Sequence, residues 1–106
     1  MVQVVWEFIV RHEAIPEFER VYGGEGPWVQ LFKAFPGYRG TSLLRDLANP
    51  RRYLTIDMWD TVEHRTAMLA AAREQYHHLD VRSSDLTESE AELGVFEDLQ
   101  AGPRAE

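Results

Sequence analysis

The chain has 106 residues, of which 44% are hydrophobic and 27% charged, a globular rather than disordered composition and a length suited to one domain with one modest core. Eleven Lys and Arg against eighteen Asp and Glu give a net charge of −7, the wrong sign for neutralising phosphates or docking on anionic lipid, so nucleic-acid and membrane partners are not expected. With no cysteine, disulfides, thiolate metal sites and Cys nucleophiles are excluded.

The first residues carry an early Glu7 and no basic segment, and no run of eighteen apolar residues follows, which points to a cytoplasmic protein. Val2 to Val10 alternates Val2, Val4, Trp6, Phe8 and Val10 against Gln3, Val5, Glu7 and Ile9, the period of a strand. Pro16 opens a short helix with Phe18, Val21 and Tyr22 on one face, which Gly23, Gly24 and Gly26 end. Pro27 starts another, with Trp28, Leu31, Phe32 and Phe35 at helical spacing, stopped by Pro36 and Gly37. Tyr38 to Arg45 reads as the second strand, residues 46–52 as a hairpin connection, and Tyr53 to Trp59 as the third strand.

In that third strand the aliphatic row Leu54, Ile56 and Met58 is expected to meet the helices, sending Tyr53, Thr55, Asp57 and Trp59 to the other face. Asp60 and Glu63 fit a capping box at the start of a long helix whose apolar stripe runs through Leu69, Ala72, Tyr76, Leu79, Ser83 and Leu86. An unbroken helix from Thr61 to Leu86 would span about 39 Å, more than the domain, so a break is expected between Ala70 and Glu74. Thr87 to Glu92 reads as a charged turn or short helical piece, Leu93 to Leu99 as the fourth strand, and residues 101–106 as a disordered tail to a single domain over residues 1–100.

The order β-α-β-β-α-β is that of an α+β, ferredoxin-like antiparallel sheet with its helices on one face. Val5, Ile9, Tyr53 and Trp59 are then left on an uncovered face, and a homodimer through that open face is expected.

With these elements the chain resembles the antibiotic biosynthesis monooxygenase family of the dimeric α+β barrel superfamily. The resemblance lies in Phe35-Pro36-Gly37-Tyr38-Arg39-Gly40 entering the second strand, and in Tyr53-Leu54-Thr55-Ile56-Asp57-Met58-Trp59-Asp60 closing the third before the long helix. It implies two sheets facing each other in a dimer that encloses cavities, with members that include cofactor-independent oxygenases of aromatic polyketides and heme-cleaving proteins. Trp59 matches a strand-three Trp that recurs in the family, whereas Thr55 stands where oxygenase-type members carry Asn. In the heme-cleaving pattern the ligand His falls on or beside His78, but the helix Trp falls on Met68 and the first-strand Asn near Glu7.

Among the residues themselves, Asp57 is the leading candidate base, because a carboxylate among aromatic rings is desolvated and its pKa rises. Its structural alternative is an ion pair with Arg11, Arg39 or Arg45 across neighbouring strands. The expected site has Asp57 as base, Arg39 steadying a substrate anion, Trp59 and Tyr53 stacking the ring, and Thr55, Glu7 and Ile9 contacting the ligand. That arrangement suits a cofactor-independent monooxygenase of a phenolic or polyketide-like substrate. A heme protein using His78 and a non-catalytic stress or interaction module are the alternatives. His77 and His78 face solvent on a continuous helix, His12 and His64 give no zinc spacing, and no metal is expected. Trp6, Trp28, Phe32 and Phe35 read as packing residues.

Overall fold

The computed structural model describes residues 1–103. Strand β1 (Val2–Val10) is followed by helices α1 (Ile15–Tyr22) and α2 (Pro27–Phe32), strands β2 (Tyr38–Arg45) and β3 (Arg52–Trp59), helices α3 (Val62–Ala71) and α4 (Arg73–Ser83), and strand β4 (Thr87–Glu97). The strands form one antiparallel sheet in the order β2-β3-β1-β4, the α+β ferredoxin-like arrangement, with the helices packed on one face. Of the expected tail, residues 101–103 belong to no strand or helix, and residues 104–106 lie outside the described residues.

Breakers set most boundaries. Pro16 and Pro27 stand in the first turns of α1 and α2, where a missing N–H costs nothing. Gly37 holds a φ of +87°, and a Cβ there would lie 2.3 Å from the His64 ring, so this turn into β2 needs glycine twice over. The N-cap of α3 is Thr61 rather than the expected Asp60. The Thr61 backbone is extended and its hydroxyl accepts from His64 N at 3.1 Å, while Asp60 is drawn aside by the Arg39 guanidinium. The long helix breaks at Ala72, inside the expected window. The break lets Met68 and Ala72 before it, and Tyr76 and Leu79 after it, reach one core.

Two further expectations are corrected. The last strand begins at Thr87, six residues earlier than expected, because its backbone pairs with β1 from Val10↔Thr87 onward. Charged side chains there are no obstacle, since an edge strand leaves them in water. The second correction concerns β3, whose faces are the reverse of those expected. Tyr53, Thr55 and Trp59 are buried under the helices at 1%, 4% and 1% exposure, and Leu54, Ile56 and Met58 occupy the open face. Register explains the reversal: Tyr53 lies beside Phe8 and Trp59 beside Val2, on the same face as Val4 and Val10. The covered face must take the largest rings, because burying one contributes about 1.5–3 kcal/mol. Phe8, Phe18, Tyr22 and Tyr53 pack ring to ring at one end of this core, and Phe32, Tyr38 and Trp59 at the other.

The open face therefore carries Val5 and Ile9, as expected, together with Leu44, Leu54, Ile56, Met58 and Phe96 in place of Tyr53 and Trp59. Leu44 and Phe96 are 45% and 52% exposed. Glu7 shares this face and is bonded to Arg52 Nε at 2.6 Å.

Candidate functional site

The alternation that buries Tyr53 and Trp59 also carries Asp57 to the helix side of the sheet. There the packing leaves a narrow, partly open cavity with about 40 Å³ of free space. It lies between the sheet and the helices of the same chain, not between two facing sheets as expected. Trp6 and Phe8 of β1, Thr55 and Asp57 of β3 and Thr41 of β2 form the sheet wall. Tyr22, Trp28, Val29, Phe32 and Tyr76 form the helix wall, and Asp80 and Glu90 stand on α4 and β4.

Among the described residues Asp57 has no arginine ion-pair partner. Its Oδ1 accepts a hydrogen bond from Thr41 Oγ1 at 2.7 Å, and the Tyr38 hydroxyl lies 2.6 Å from the same Thr41 oxygen. A threonine hydroxyl has one proton; with that proton on Asp57, Tyr38 must donate to Thr41. The result is a directed chain, Tyr38 to Thr41 to Asp57. Burial pushes the Asp57 pKa up to about 6, against the weaker downward pulls of the Thr41 hydrogen bond and the Arg65 charge. Burial likewise raises Tyr38, and takes Tyr76 up to about 12, so both phenols keep their protons at neutral pH. Arg65 is already bonded to Glu92 Oε1 at 2.8 Å. Asp57 is thus a poised carboxylate in a largely aromatic pocket, able to take a proton from a phenol or an activated C–H and to return it.

The other expected site residues scatter. Thr55 lines the cavity beside Asp57. Trp59 lies behind it in the core, packing edge-on against Tyr38 with ring centres 5.3 Å apart. Tyr53 is core, with its hydroxyl hydrogen-bonded to Glu19. Arg39 has a 58% exposed side chain and is held in a two-point pair with Asp60, away from the cavity walls. Arg45 pairs with Glu19, and Arg11 donates to the Asp85 carbonyl. Glu7 and Ile9 are on the opposite face of the sheet. His78 is exposed on α4, beside His77, Arg73 and Glu74 around a surface depression that shares no residue with the cavity. Among the described residues no group of three or more His, Cys, Asp or Glu could hold a metal ion, and no helix is long and apolar enough to cross a membrane.

The cavity residues that sequence reading passed over are Thr41, Tyr76, Asp80, Glu90 and the rings of Trp6, Tyr22 and Trp28. One signal could have found some of them. The even positions of β1 are its bulkiest, so they must face the helices, and antiparallel pairing then ties Trp6 to Thr55 and Val4 to Asp57.

Three solved structures show the same fold. SnoaB, a cofactor-independent oxygenase from Streptomyces nogalater, is 22% identical over 97% of each chain, with a TM-score of 0.72. Rv0793 from Mycobacterium tuberculosis is 14% identical over 92% of this chain and 94% of its own, with a TM-score of 0.71. A conserved protein from Methanosarcina mazei Go1 is 15% identical over 90% of this chain and 89% of its own, with a TM-score of 0.68. No curated protein sequence matches. The sequence model of the antibiotic biosynthesis monooxygenase family matches residues 1–81, most of the chain and the whole of the sheet wall that carries Asp57. The chain belongs to the antibiotic biosynthesis monooxygenase family.

Proposed function

We propose that the protein is a cofactor-independent monooxygenase that binds a phenolic or polyketide-like aromatic substrate in the cavity between its sheet and its helices. The observation that carries this reading is Asp57: a carboxylate with no ion-pair partner among the described residues, raised to about 6, in an aromatic pocket. Family membership and the likeness to SnoaB, described as a cofactor-independent oxygenase, support it.

The chemistry follows from the side chains present. Asp57 takes the phenol proton, and the electron-rich phenolate passes an electron to O2 and couples with it at a ring carbon, giving a peroxide anion. Asp57 returns its proton to that peroxide. Loss of the ring C–H proton to Asp57 then breaks the O–O bond, leaving one oxygen as a quinone carbonyl and the other as hydroxide, which the same proton converts to water. Substrate and O2 become quinone and water, and the substrate supplies every electron. Thr41 fixes the orientation of the carboxylate, and Tyr38, held by Trp59 and Phe32, fixes Thr41. Trp59 is in this reading a positioning residue, and Arg39 has no part in the reaction. The aromatic walls stack the ring and exclude water, which keeps the Asp57 carboxylate basic.

The homodimer belongs to the same proposal. The row of Val5, Ile9, Leu54, Ile56 and Met58, with Leu44 and Phe96, is an apolar surface that a second sheet would cover. An oxygen electrode tests the activity on small phenols, hydroquinones and anthrone-like ketones. Metal-free protein should consume one O2 per product formed, and Asp57→Asn should lower kcat at least a hundredfold, the usual range for a lost general base being about 10²–10⁴. Full activity in Asp57→Asn would refute the assignment.

A further inference from the structure

Asp80 of α4 and Glu90 of β4 are both exposed and both line the cavity that Asp57 lines. Neither has an ion-pair partner among the described residues. They are close enough to oppose each other's charge, since Asp80 adds to burial in raising Glu90. Both also act on the Tyr22 phenol, and Asp80 together with Asp57 acts on Tyr76. The rings of Tyr22, Trp28 and Tyr76 connect the two regions, Trp28 meeting Tyr76 edge-on with centres 4.9 Å apart and lying along Tyr22 at 6.0 Å. A second feature points into the same space. Trp28 is 8% exposed and forms part of the cavity wall, and its Nε1 makes no hydrogen bond of good geometry among the described residues, the Tyr22 hydroxyl being near enough only to moderate the rise in that phenol's pKa.

We propose that Asp80 and Glu90 form a cation-selecting mouth, so that the cavity takes aromatic ligands bearing a protonated amine and disfavours those bearing a carboxylate. This rests on the reading of the cavity as the substrate site and names the substrate class. The physical reason is direct. Two unpaired carboxylates beside π faces attract an ammonium through charge and ring quadrupole together, and repel an anion for the same reason. The phenolic end of such a ligand passes inward toward Asp57, and its one ring oxygen, donating to that carboxylate, has lone pairs left to accept from the under-satisfied Trp28 N–H.

The test is calorimetric titration of the full chain with tyramine and with 4-hydroxyphenylacetate, which share the phenol and differ in charge. Tyramine should bind about tenfold or more tighter, since each exposed ion pair contributes a small factor and each repulsion removes one. In the double variant Asp80→Asn, Glu90→Gln that preference should collapse to within about twofold. Trp28→Phe should weaken both ligands alike, because the N–H serves the shared ring frame. Equal affinities, a tighter carboxylate, no tyramine binding at millimolar concentration, or a preference unchanged in the double variant would each overturn the proposal. Amine-selective binding without oxygen consumption would uphold the mouth and count against the oxygenase chemistry instead.

Discussion

Asp57→Asn should make the protein more stable at neutral pH, and the size of the gain follows from the site. In the unfolded chain the carboxyl titrates near 3.8, and in the fold near 6. Below about pH 3.8 it is protonated in both states and contributes nothing to the difference. Between the two values the folded state holds a proton that the unfolded state has lost, so stability falls as pH rises. Above about pH 6 both are ionised and the cost is fully present, about 3 kcal/mol. Asparagine keeps the acceptor for Thr41 Oγ1 and carries no charge, but its amide N–H2 needs a new partner, a loss of about 1 kcal/mol. The net gain is about 2 kcal/mol at pH 7, worth about 10 °C in Tm for a domain of this size. Urea denaturation of both proteins at one protein concentration, repeated from about pH 4 to 8, isolates the effect because the other carboxylates cancel. The variant should gain on the wild type as pH rises through that window. A variant less stable by a constant amount at every pH would mean that Asp57 is paired in the fold, and would refute the account of its pKa.

Turnover of a phenolic substrate should rise with pH through about 6 as Asp57 ionises, and an acidic limb centred near the ordinary carboxylate value would contradict this. Thr41→Val removes the one hydrogen bond that lowers the Asp57 pKa, so the acidic limb should move to higher pH while the circular dichroism spectrum stays unchanged. On light scattering the chain should have the mass of a dimer, and Ile56→Lys on the open face should shift it to monomer; a monomeric wild type at micromolar concentration would refute the sheet-to-sheet pairing. Hemin titration should give no stoichiometric shift of the Soret band that His78→Ala abolishes, since His78 is exposed and outside the cavity.

Local patterning determined the elements of this protein. Alternation marked β1 and β3, the Pro36-Gly37 pair marked the entry to β2, Pro16, Pro27 and that same pair bounded the short helices, and helix length alone required the break found at Ala72. These features depend on neighbours in the chain, so the sequence holds them. The order of elements then left little choice of topology. Which face of β3 turns inward is a different kind of question. Alternation divides Tyr53, Thr55, Asp57 and Trp59 from Leu54, Ile56 and Met58, but both sets are apolar enough to be buried, and only the pairing with β1 decides between them. That one decision moved Asp57 from an interface between subunits into a cavity within one. It also joined Asp57 to Thr41, 16 positions away in the chain, and to a pocket shared with Tyr76, Asp80 and Glu90. The early start of β4 was hidden for a related reason: the residues from Thr87 to Glu92 carry no strand pattern of their own, and their extended form is set by the free backbone edge of β1 that they complete.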